Sequence, residues 1–184
     1  LKIVDLVIEV LDARIPLSSK NPDISKLAKN KKRLTVLNKV DLADEREVEN
    51  WKEYFIRNDI SDYVLAISAE KGTNLNELKR IVDEIYIEKL EKAKKKGLRK
   101  TEVRALIAGI PNVGKSKLIN KFAGKTKARV GDKPGFTRGK QWVKASEKLE
   151  LLDTPGVLWP KFDDPEVGYS LAITGSIKDD ILPI

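Results

Sequence analysis

The 184-residue chain contains no cysteine, no histidine and no methionine, and it has no long apolar run. Without cysteine, this stretch has neither a disulfide framework nor a thiolate metal site. No run approaches the ~20 apolar residues of a membrane-spanning helix, and no secretory signal opens the chain, so we expect a cytoplasmic protein. Because the chain begins at Leu1 without a methionine, we expect its natural start, and residues after Ile184, to lie outside this stretch.

The composition is that of a globular domain with a strongly basic balance. Hydrophobic residues make up 41% and charged residues 35%, with a formal net charge of +8 and a pI of about 9.5. The length suits one α/β domain with an ordinary core. The positive charge has two interpretations that composition leaves open, which are a polyanionic partner or a Lys/Glu-rich solvated surface of the kind found in thermophiles.

Strand-like and helix-like segments alternate along the chain. Short apolar runs predict strands at residues 6–11, 34–37, 64–67, 103–108, 141–145 and 149–152, the last two as an antiparallel pair. Helical periodicity predicts helices that begin near Asp44 and Asn74, each with a glutamate three residues later as in a capping box, and a third over residues 115–122. The second continues to Gly97, and residues 91–101 are interpreted as a linker. This alternation predicts an α/β fold whose ligands bind at the carboxyl ends of the strands.

Residues 109–116 (Gly-Ile-Pro-Asn-Val-Gly-Lys-Ser) match a phosphate-binding loop, with a predicted strand before it and a helix after it. The glycines let the backbone turn its N–H groups towards phosphate, and the helix adds the positive end of its dipole. Lys115 is expected to neutralise the β and γ oxygens, and the Ser116 hydroxyl to ligate Mg²⁺. The alternative is a simple glycine turn. The candidate phosphate-side residues are Pro111, Asn112, Val113, Gly114, Lys115, Ser116 and Lys117.

Residues 38–41 (Asn-Lys-Val-Asp) match a motif that reads guanine. The Asp41 carboxylate can accept hydrogen bonds from N1–H and the 2-amino group, which adenine lacks. The stem of Lys39 is expected to pack over the ring, and Asn38 to brace the neighbouring loops. The alternative is a helix-capping turn.

Residues 68–72 (Ser-Ala-Glu-Lys-Gly) are the second base-reading candidate. The Ala69 N–H is expected to face the guanine O6, and Lys71 to shield the other face of the ring, with Ser68 and Glu70 completing the segment. Their spacing after Asp41, across one helix and one strand, favours GTP and GDP over ATP.

Residues 153–156 (Asp-Thr-Pro-Gly) supply the remaining phosphate-side candidates. Asp153 is expected to hold Mg²⁺ through water, and the Gly156 N–H to contact the γ-phosphate. Thr137, in a glycine-rich stretch, is our candidate for the switch threonine that closes on Mg²⁺, with Thr126 as the alternative. Val157 stands where signalling GTPases place a glutamine that orients the attacking water. With no histidine to replace it, we predict slow intrinsic hydrolysis that an ion, another segment or a partner accelerates.

The base-reading motifs precede the phosphate loop, which reverses the order of an ordinary guanine-nucleotide-binding domain and indicates a circular permutation. With Asp-Ala-Arg-Ile-Pro at residues 12–16, the chain resembles the circularly permuted GTPases of ribosome assembly, and most of all the YlqF/RbgA family. The resemblance implies a Ras-like P-loop GTPase fold, a three-layer α/β sandwich with a mostly parallel sheet. It implies a permuted GTPase domain over residues 1–160 and, over 161–184, the start of a link to a C-terminal helical domain. The role of residues 12–16 does not follow from the sequence, and a strand-ending turn with an Asp–Arg pair is the alternative.

The resemblance also carries functional expectations. It implies a GTPase that acts in late maturation of the large ribosomal subunit, with Mg²⁺ and, through Asn112, K⁺ as ions; local satisfaction of Asn112 is the alternative. Relatives place a catalytic histidine upstream of the core, and this stretch has none. We expect a monomer that contacts rRNA. A small-subunit assembly GTPase and a nucleotide-gated binding module with little hydrolysis are the alternative functions. The candidate RNA contacts, or else simply solvated basic faces, are Lys29, Lys31, Lys32, Arg33, Lys94, Lys95, Lys96, Arg99, Lys100, Arg129, Lys133, Arg138 and Lys140.

Overall fold

The computed structural model describes residues 3–99, 101–123, 141–154 and 164–177. Its elements in chain order are β1 (Leu6–Asp12), α1 (Pro22–Leu27), β2 (Lys32–Asn38), α2 (Glu45–Arg57), β3 (Tyr63–Ala66), α3 (Leu75–Lys94), β4 (Val103–Gly109), α4 (Lys115–Ala123), β5 (Gln141–Lys144), β6 (Leu149–Asp153) and α5 (Pro165–Ile173). A single 3-10 turn, Val40–Leu42, follows β2.

The six strands form one sheet in the order β3-β2-β1-β4-β6-β5. All neighbouring pairs are parallel except β5 and β6, which are antiparallel as predicted. Every residue of β1 is buried, as expected for a central strand that is covered on both faces. The predicted strands are therefore confirmed, with ends that differ by at most two residues.

Helices cover both faces of the sheet, which confirms the three-layer prediction. Because side chains alternate along a strand, Leu6, Ile8 and Val10 of β1 face one cluster, and Val7 and Leu11 face the other side. The first cluster contains apolar residues of α3, α4 and α5. On the opposite side, α2 packs through Val48 and Phe55, and α1 ends beside Ala28.

The predicted helix starts at Asp44 and Asn74 differ in whether the side chain caps the helix. Asp44 caps α2, because its side chain accepts the Glu47 N–H at 3.0 Å. The helix start predicted at Asn74 is confirmed, because α3 begins at Leu75, but the Asn74 side chain does not cap it. Asn74 has φ 59°, and its amide donates to the Ala66 carbonyl at 2.9 Å. Gly97 does stop α3. It has φ 79°, and the Leu98 N–H reaches the Ala93 carbonyl at 3.0 Å, a Schellman motif. Residues 91–94 of the predicted linker are thus helical.

Two short helices were not predicted. α1 begins at an Asn21 cap followed by Pro22, and α5 at an Asp164 cap followed by Pro165, both ordinary helix starts. Their lengths of 6 and 9 residues are too short for a clear apolar period. Within the described ranges, no helix is long and apolar enough to cross a bilayer.

The segment around α5 packs on the sheet. Leu171 is fully buried and Ile177 is 6% exposed, and both belong to the main apolar cluster. The helix ends in a second Schellman motif at Gly175, where the Ser176 N–H donates to the Leu171 carbonyl at 2.8 Å. The predicted domain boundary after residue 160 stays a prediction, and these contacts join residues 164–177 to the folded domain.

Candidate nucleotide site

The carboxyl ends of the parallel strands bring the sequence motifs to one edge of the sheet. Asp12 ends β1, Asn38 ends β2, Ser68 follows β3, residues 109–116 follow β4 and Asp153 ends β6. Segments far apart in the chain meet there because parallel strands all point their carboxyl ends the same way. The predicted location of the motifs is therefore confirmed.

Asn38 joins the two base-reading segments to the phosphate loop. It is 3% exposed, its Nδ2 donates to the Val113 carbonyl at 2.8 Å, and its Oδ1 accepts the Ala69 N–H at 2.9 Å. The predicted bracing role is thus confirmed. The Ala69 N–H, however, is engaged by Asn38 rather than open to a guanine O6, because the amide oxygen lies within hydrogen-bond distance. A contact to guanine requires that N–H to share or leave this bond.

Two positions in the phosphate loop must be glycine, because neighbouring atoms lie too close to leave room for a Cβ. Gly114 has φ 97°, and a Cβ there would lie 2.3 Å from the Asn38 Nδ2. A Cβ on Gly109 would lie 2.8 Å from a methyl of Val113 and 2.9 Å from the Val10 carbonyl oxygen. The loop can therefore pack against β1 and Asn38 only with glycine at both positions.

Lys115 and Asp153 form a buried ion pair between α4 and β6. Lys115 Nζ lies 2.6 Å from Asp153 Oδ1, and the side chains are 5% and 0% exposed. Burial lowers the pKa of Lys115 from its usual value, against the opposing effect of Asp153. The second carboxylate oxygen, Oδ2, is buried and has no hydrogen-bond partner among the described residues. A buried oxygen of this kind is the atom expected to accept from a ligand or a metal-bound water.

Asp41 carries an ionised carboxylate beside the second base-reading segment. The Ser68 hydroxyl and the Lys71 ammonium, 3.7 Å away, hold the pKa of Asp41 below its usual value. The Lys71 N–H donates to the Ser68 hydroxyl at 3.1 Å. Ser68, Lys71 and Asp41 are therefore brought together, and the carboxylate is available as an acceptor at neutral pH.

The remaining candidates lie around this edge. Glu70 and Lys117 form an ion pair on the exposed rim, which links the second base-reading segment to α4 and lowers the pKa of Glu70. Asn112 has φ 60°, and its Nδ2 donates to the Gly175 carbonyl at 2.9 Å. Pro111 is buried, and Ser116 is partly buried in the first turn of α4.

Several predicted residues lie outside the described ranges. These are Gly156, Val157, Thr137 and the alternative Thr126. Among the residues that the structure describes, no group of three or more His, Cys, Asp or Glu side chains could hold a metal ion. A magnesium ion typically keeps several waters and binds one or two protein ligands together with substrate phosphates, so the Ser116–Asp153 set fits it.

Comparison with known proteins agrees with this geometry. The family model described as "50S ribosome-binding GTPase" matches residues 104–182. Ribosome biogenesis GTPase A of Priestia megaterium (strain DSM 319 / IMG 1521) is 50% identical over 99% of this chain and 63% of its own length. GNP-bound YlqF from T. maritima superimposes with a TM-score of 0.69 at 28% identity, covering 100% of this chain and 66% of that one. Over nearly its whole length the chain is similar to the YlqF/RbgA GTPases. The resemblance drawn from the order of motifs is thereby confirmed.

A GDP-bound YlqF structure also matches, with a TM-score of 0.65 at 28% identity over 98% of this chain and 68% of that one. The chain spans a little under two thirds of the length of four curated relatives named Ribosome biogenesis GTPase A, 61–64% of each. The alternative given for residues 12–16, a strand-ending turn with an Asp–Arg pair, is confirmed, because Arg14 Nη2 lies 2.6 Å from Asp12 Oδ2. Sequence reasoning missed the contact of Asp12 with Lys39 and that of Arg14 with the Thr174 carbonyl.

Proposed function

We propose that this chain is the GTPase domain of a ribosome biogenesis factor that binds GTP and GDP and hydrolyses GTP. The factor acts in late maturation of the large ribosomal subunit, in the cytoplasm and as a monomer. Similarity to the YlqF/RbgA GTPases supports this function, and so does the meeting of phosphate-binding and guanine-reading motifs at one sheet edge.

The observation that carries the proposal is the Lys115–Asp153 pair, whose Asp153 Oδ2 has no partner in the described part of the chain. Burying a lysine and an aspartate costs free energy that their mutual attraction need not repay, and such perturbed groups cluster at functional sites. A triphosphate beside Lys115 and a hydrated Mg²⁺ beside Asp153 complement both charges. Ser116 and Asp153 would hold the ion, with Thr137 as the proposed third residue. Bound Mg²⁺ neutralises charge on the β and γ oxygens.

On the base side, the contacts among these residues support the proposed roles. Asp41 accepts from N1–H and the 2-amino group of guanine, Lys39 packs its stem over the ring, and Lys71 shields the other face. Asn38 keeps these segments at a fixed distance from the phosphate loop through its bonds to Val113 and Ala69. Gly156 is proposed to donate its N–H to the γ-phosphate.

Potassium is proposed as a second ion, near Asn112. The Asn112 amide nitrogen is oriented by its bond to Gly175, so Oδ1 is the side-chain atom that can coordinate a cation. Hydrolysis by the domain alone is proposed to be slow, because Val157 can neither donate nor accept a hydrogen bond.

Contacts with rRNA are proposed for basic residues that are exposed. Lys29, Lys94, Lys95, Lys96 and Arg99 are exposed, Lys31 is partly buried, and Lys100 lies outside the described residues. Lys32 and Arg33 are weaker candidates, because Lys32 pairs with Glu88 at 2.8 Å and Arg33 with Asp59 at 2.9 Å. The switch-adjacent group from Arg129 to Lys140 lies outside the described residues.

The test is GTP hydrolysis measured in K⁺ and in Na⁺ buffer, with purified large or small subunits added separately. We expect a low basal rate, a higher rate in K⁺ and selective stimulation by large subunits. Stimulation by small subunits alone would assign the chain to the other permuted branch. GDP binding with no hydrolysis under any condition would leave only the nucleotide-gated module.

A further inference from the structure

At the end of β1, the Asp12 carboxylate contacts two cationic side chains, those of Arg14 and Lys39. Asp12 is fully buried, and its Oδ1 accepts from Arg14 Nε at 2.9 Å and from the Arg14 N–H at 3.1 Å. Its Oδ2 accepts from Arg14 Nη2 at 2.6 Å and lies 3.1 Å from Lys39 Nζ. Both oxygens of this carboxylate are therefore committed, and one of the two cations belongs to the base-reading motif.

Lys39 is held at both ends. Its backbone has φ 65° and ψ 34°, a left-handed conformation that residues other than glycine adopt uncommonly. Its ammonium is fixed by Asp12, which pairs with Asn38 in the register of β1 and β2. The aliphatic stem between these two points is the part proposed to pack against the base, so the position of Asp12 determines where that stem lies.

Arg14 extends the connection to α5. Its Nη2 also donates to the Thr174 carbonyl at 3.3 Å. The next carbonyl, that of Gly175, accepts from Asn112 of the phosphate loop. The last carbonyls of a helix have no partners within the helix, and a cation is favoured beside them. The turn that ends α5 is thus bound on one side by Arg14 and on the other by Asn112.

The neighbouring cations Arg14 and Lys39 keep the Asp12 carboxyl ionised. Burial alone would raise the pKa of Asp12, but the hydrogen bonds from Arg14 and the charge of Lys39 hold it below its usual value. The carboxylate is therefore ionised at neutral pH and accepts from both cations.

We propose that Asp12 is a positioning residue for guanine recognition that acts through Lys39, and that Arg14 couples this position to docking of the last turn of α5. The proposal rests on the proposed function, because it assigns a role in guanine-nucleotide binding. Coupling between the two places is reciprocal, so bound nucleotide stabilises the docked turn to the same extent that the docked turn strengthens nucleotide binding.

The first test is a double-mutant cycle on the whole chain, with affinity for a fluorescent GDP analogue as the readout. We expect Asp12→Asn to weaken binding about tenfold, and to change it by less than about twofold when Lys39→Met is already present. Asp5→Asn is the matched control. It alters a carboxylate at the opposite end of the sheet, which pairs with Lys89 at 2.7 Å, and should leave the affinity unchanged. Additive effects of Asp12→Asn and Lys39→Met would show that Asp12 does not act through Lys39.

The second test is hydrogen exchange at the backbone amides of Gly175, Ser176 and Ile177, and it does not depend on whether Asp12→Asn folds. We expect GDP to slow exchange there in the wild type, and this effect to be lost in Arg14→Gln although GDP still binds. Unchanged exchange in a wild type that binds GDP would overturn the coupling and leave the proposed function intact. A wild type that binds no GDP would overturn both.

Discussion

The base-reading side and the phosphate side of the site differ in how completely their polar groups are satisfied. On the base side, Asn38 uses both atoms of its amide and Asp12 uses both of its oxygens. On the phosphate side, Asp153 leaves Oδ2 without a partner among the described residues, and burial lowers the pKa of Lys115. The groups that brace the base side are satisfied without a ligand, whereas the phosphate side carries buried charge that a ligand would complement.

The chemistry of the two parts of a nucleotide explains this difference. A neutral base is distinguished by a few hydrogen bonds of fixed geometry, so the groups that read it benefit from being held in place beforehand. A triphosphate with its metal ion brings several charges, and a buried lysine and carboxylate interact strongly with them in a site of low polarity. Substitutions on either side, or at the junction between the two, should therefore change stability and nucleotide affinity by different amounts.

The largest effect is expected on the phosphate side, from Lys115→Met. Removing the lysine leaves the Asp153 carboxylate buried without a counter-charge, and breaking a buried pair in this way costs about 3–5 kcal/mol. We expect that loss in urea unfolding without nucleotide, together with loss of GTP binding. Adding Asp153→Asn should restore most of the stability but none of the binding. A Lys115→Met variant as stable as the wild type would mean that losing the counter-charge of buried Asp153 carries no energetic cost.

The next effect is expected on the base side, from Asp41→Asn. A hydrogen bond to a charged group contributes roughly 1.5–3 kcal/mol, so affinity for GDP should fall about 10- to 100-fold, while xanthosine diphosphate should bind better because its C2 oxygen meets the new amide donor. Asp44→Asn is the matched control, since asparagine caps α2 as well as aspartate does. Equal GDP affinity in both variants would show that Asp41 does not read the base. The measurement is a competition titration with GDP and with xanthosine diphosphate.

A third prediction concerns the junction between the two sides, where Gly114 packs against Asn38. In Gly114→Ala, the new Cβ would stand 2.3 Å from the Asn38 amide in a left-handed backbone, and we expect about 2 kcal/mol of destabilisation with weaker nucleotide binding. Gly97→Ala is the control. It has a similar φ of 79° but nothing within 4 Å of the new Cβ, so it should cost only about 1 kcal/mol and leave binding unchanged. If the two variants prove equally stable, the close approach to Asn38 has no energetic consequence.

The sequence was sufficient to predict the sheet and the place of the motifs. Strand periodicity and the order of motifs depend on local patterns, and a parallel sheet then brings Asn38, Gly109 and Asp153 to the same edge. The bracing role of Asn38 was also predicted, although its partners were not.

What the sequence could not predict depends on contacts between distant segments. Asn74 stands where a helix cap is expected, yet its left-handed backbone turns the amide towards Ala66. The Ala69 N–H is engaged by Asn38, and Arg14 reaches Thr174, 160 positions away. Local propensity carries no information about such partners, so the role of residues 12–16 became visible only in the folded chain.

The smallest effect expected is on acid stability, and it separates the buried Asp12 from the exposed Glu70. In both residues cationic neighbours hold the pKa of the carboxyl below its usual value, Arg14 and Lys39 for Asp12 and Lys117 for Glu70. A carboxyl with a lowered folded-state pKa contributes stability above its unfolded-state pKa, and this contribution is lost as the pH falls through the folded-state pKa.

The advantage of the wild type over Asp12→Asn should therefore shrink as the pH falls from neutral to well below 3.8, as measured by urea unfolding at each pH. Glu70→Gln should show a smaller pH-dependent difference, because solvent screens an exposed pair. A constant difference between wild type and Asp12→Asn at all pH values would mean that the stability contributed by Asp12 comes from its shape and hydrogen bonds. Its charge would then have no part in holding Lys39 and Arg14.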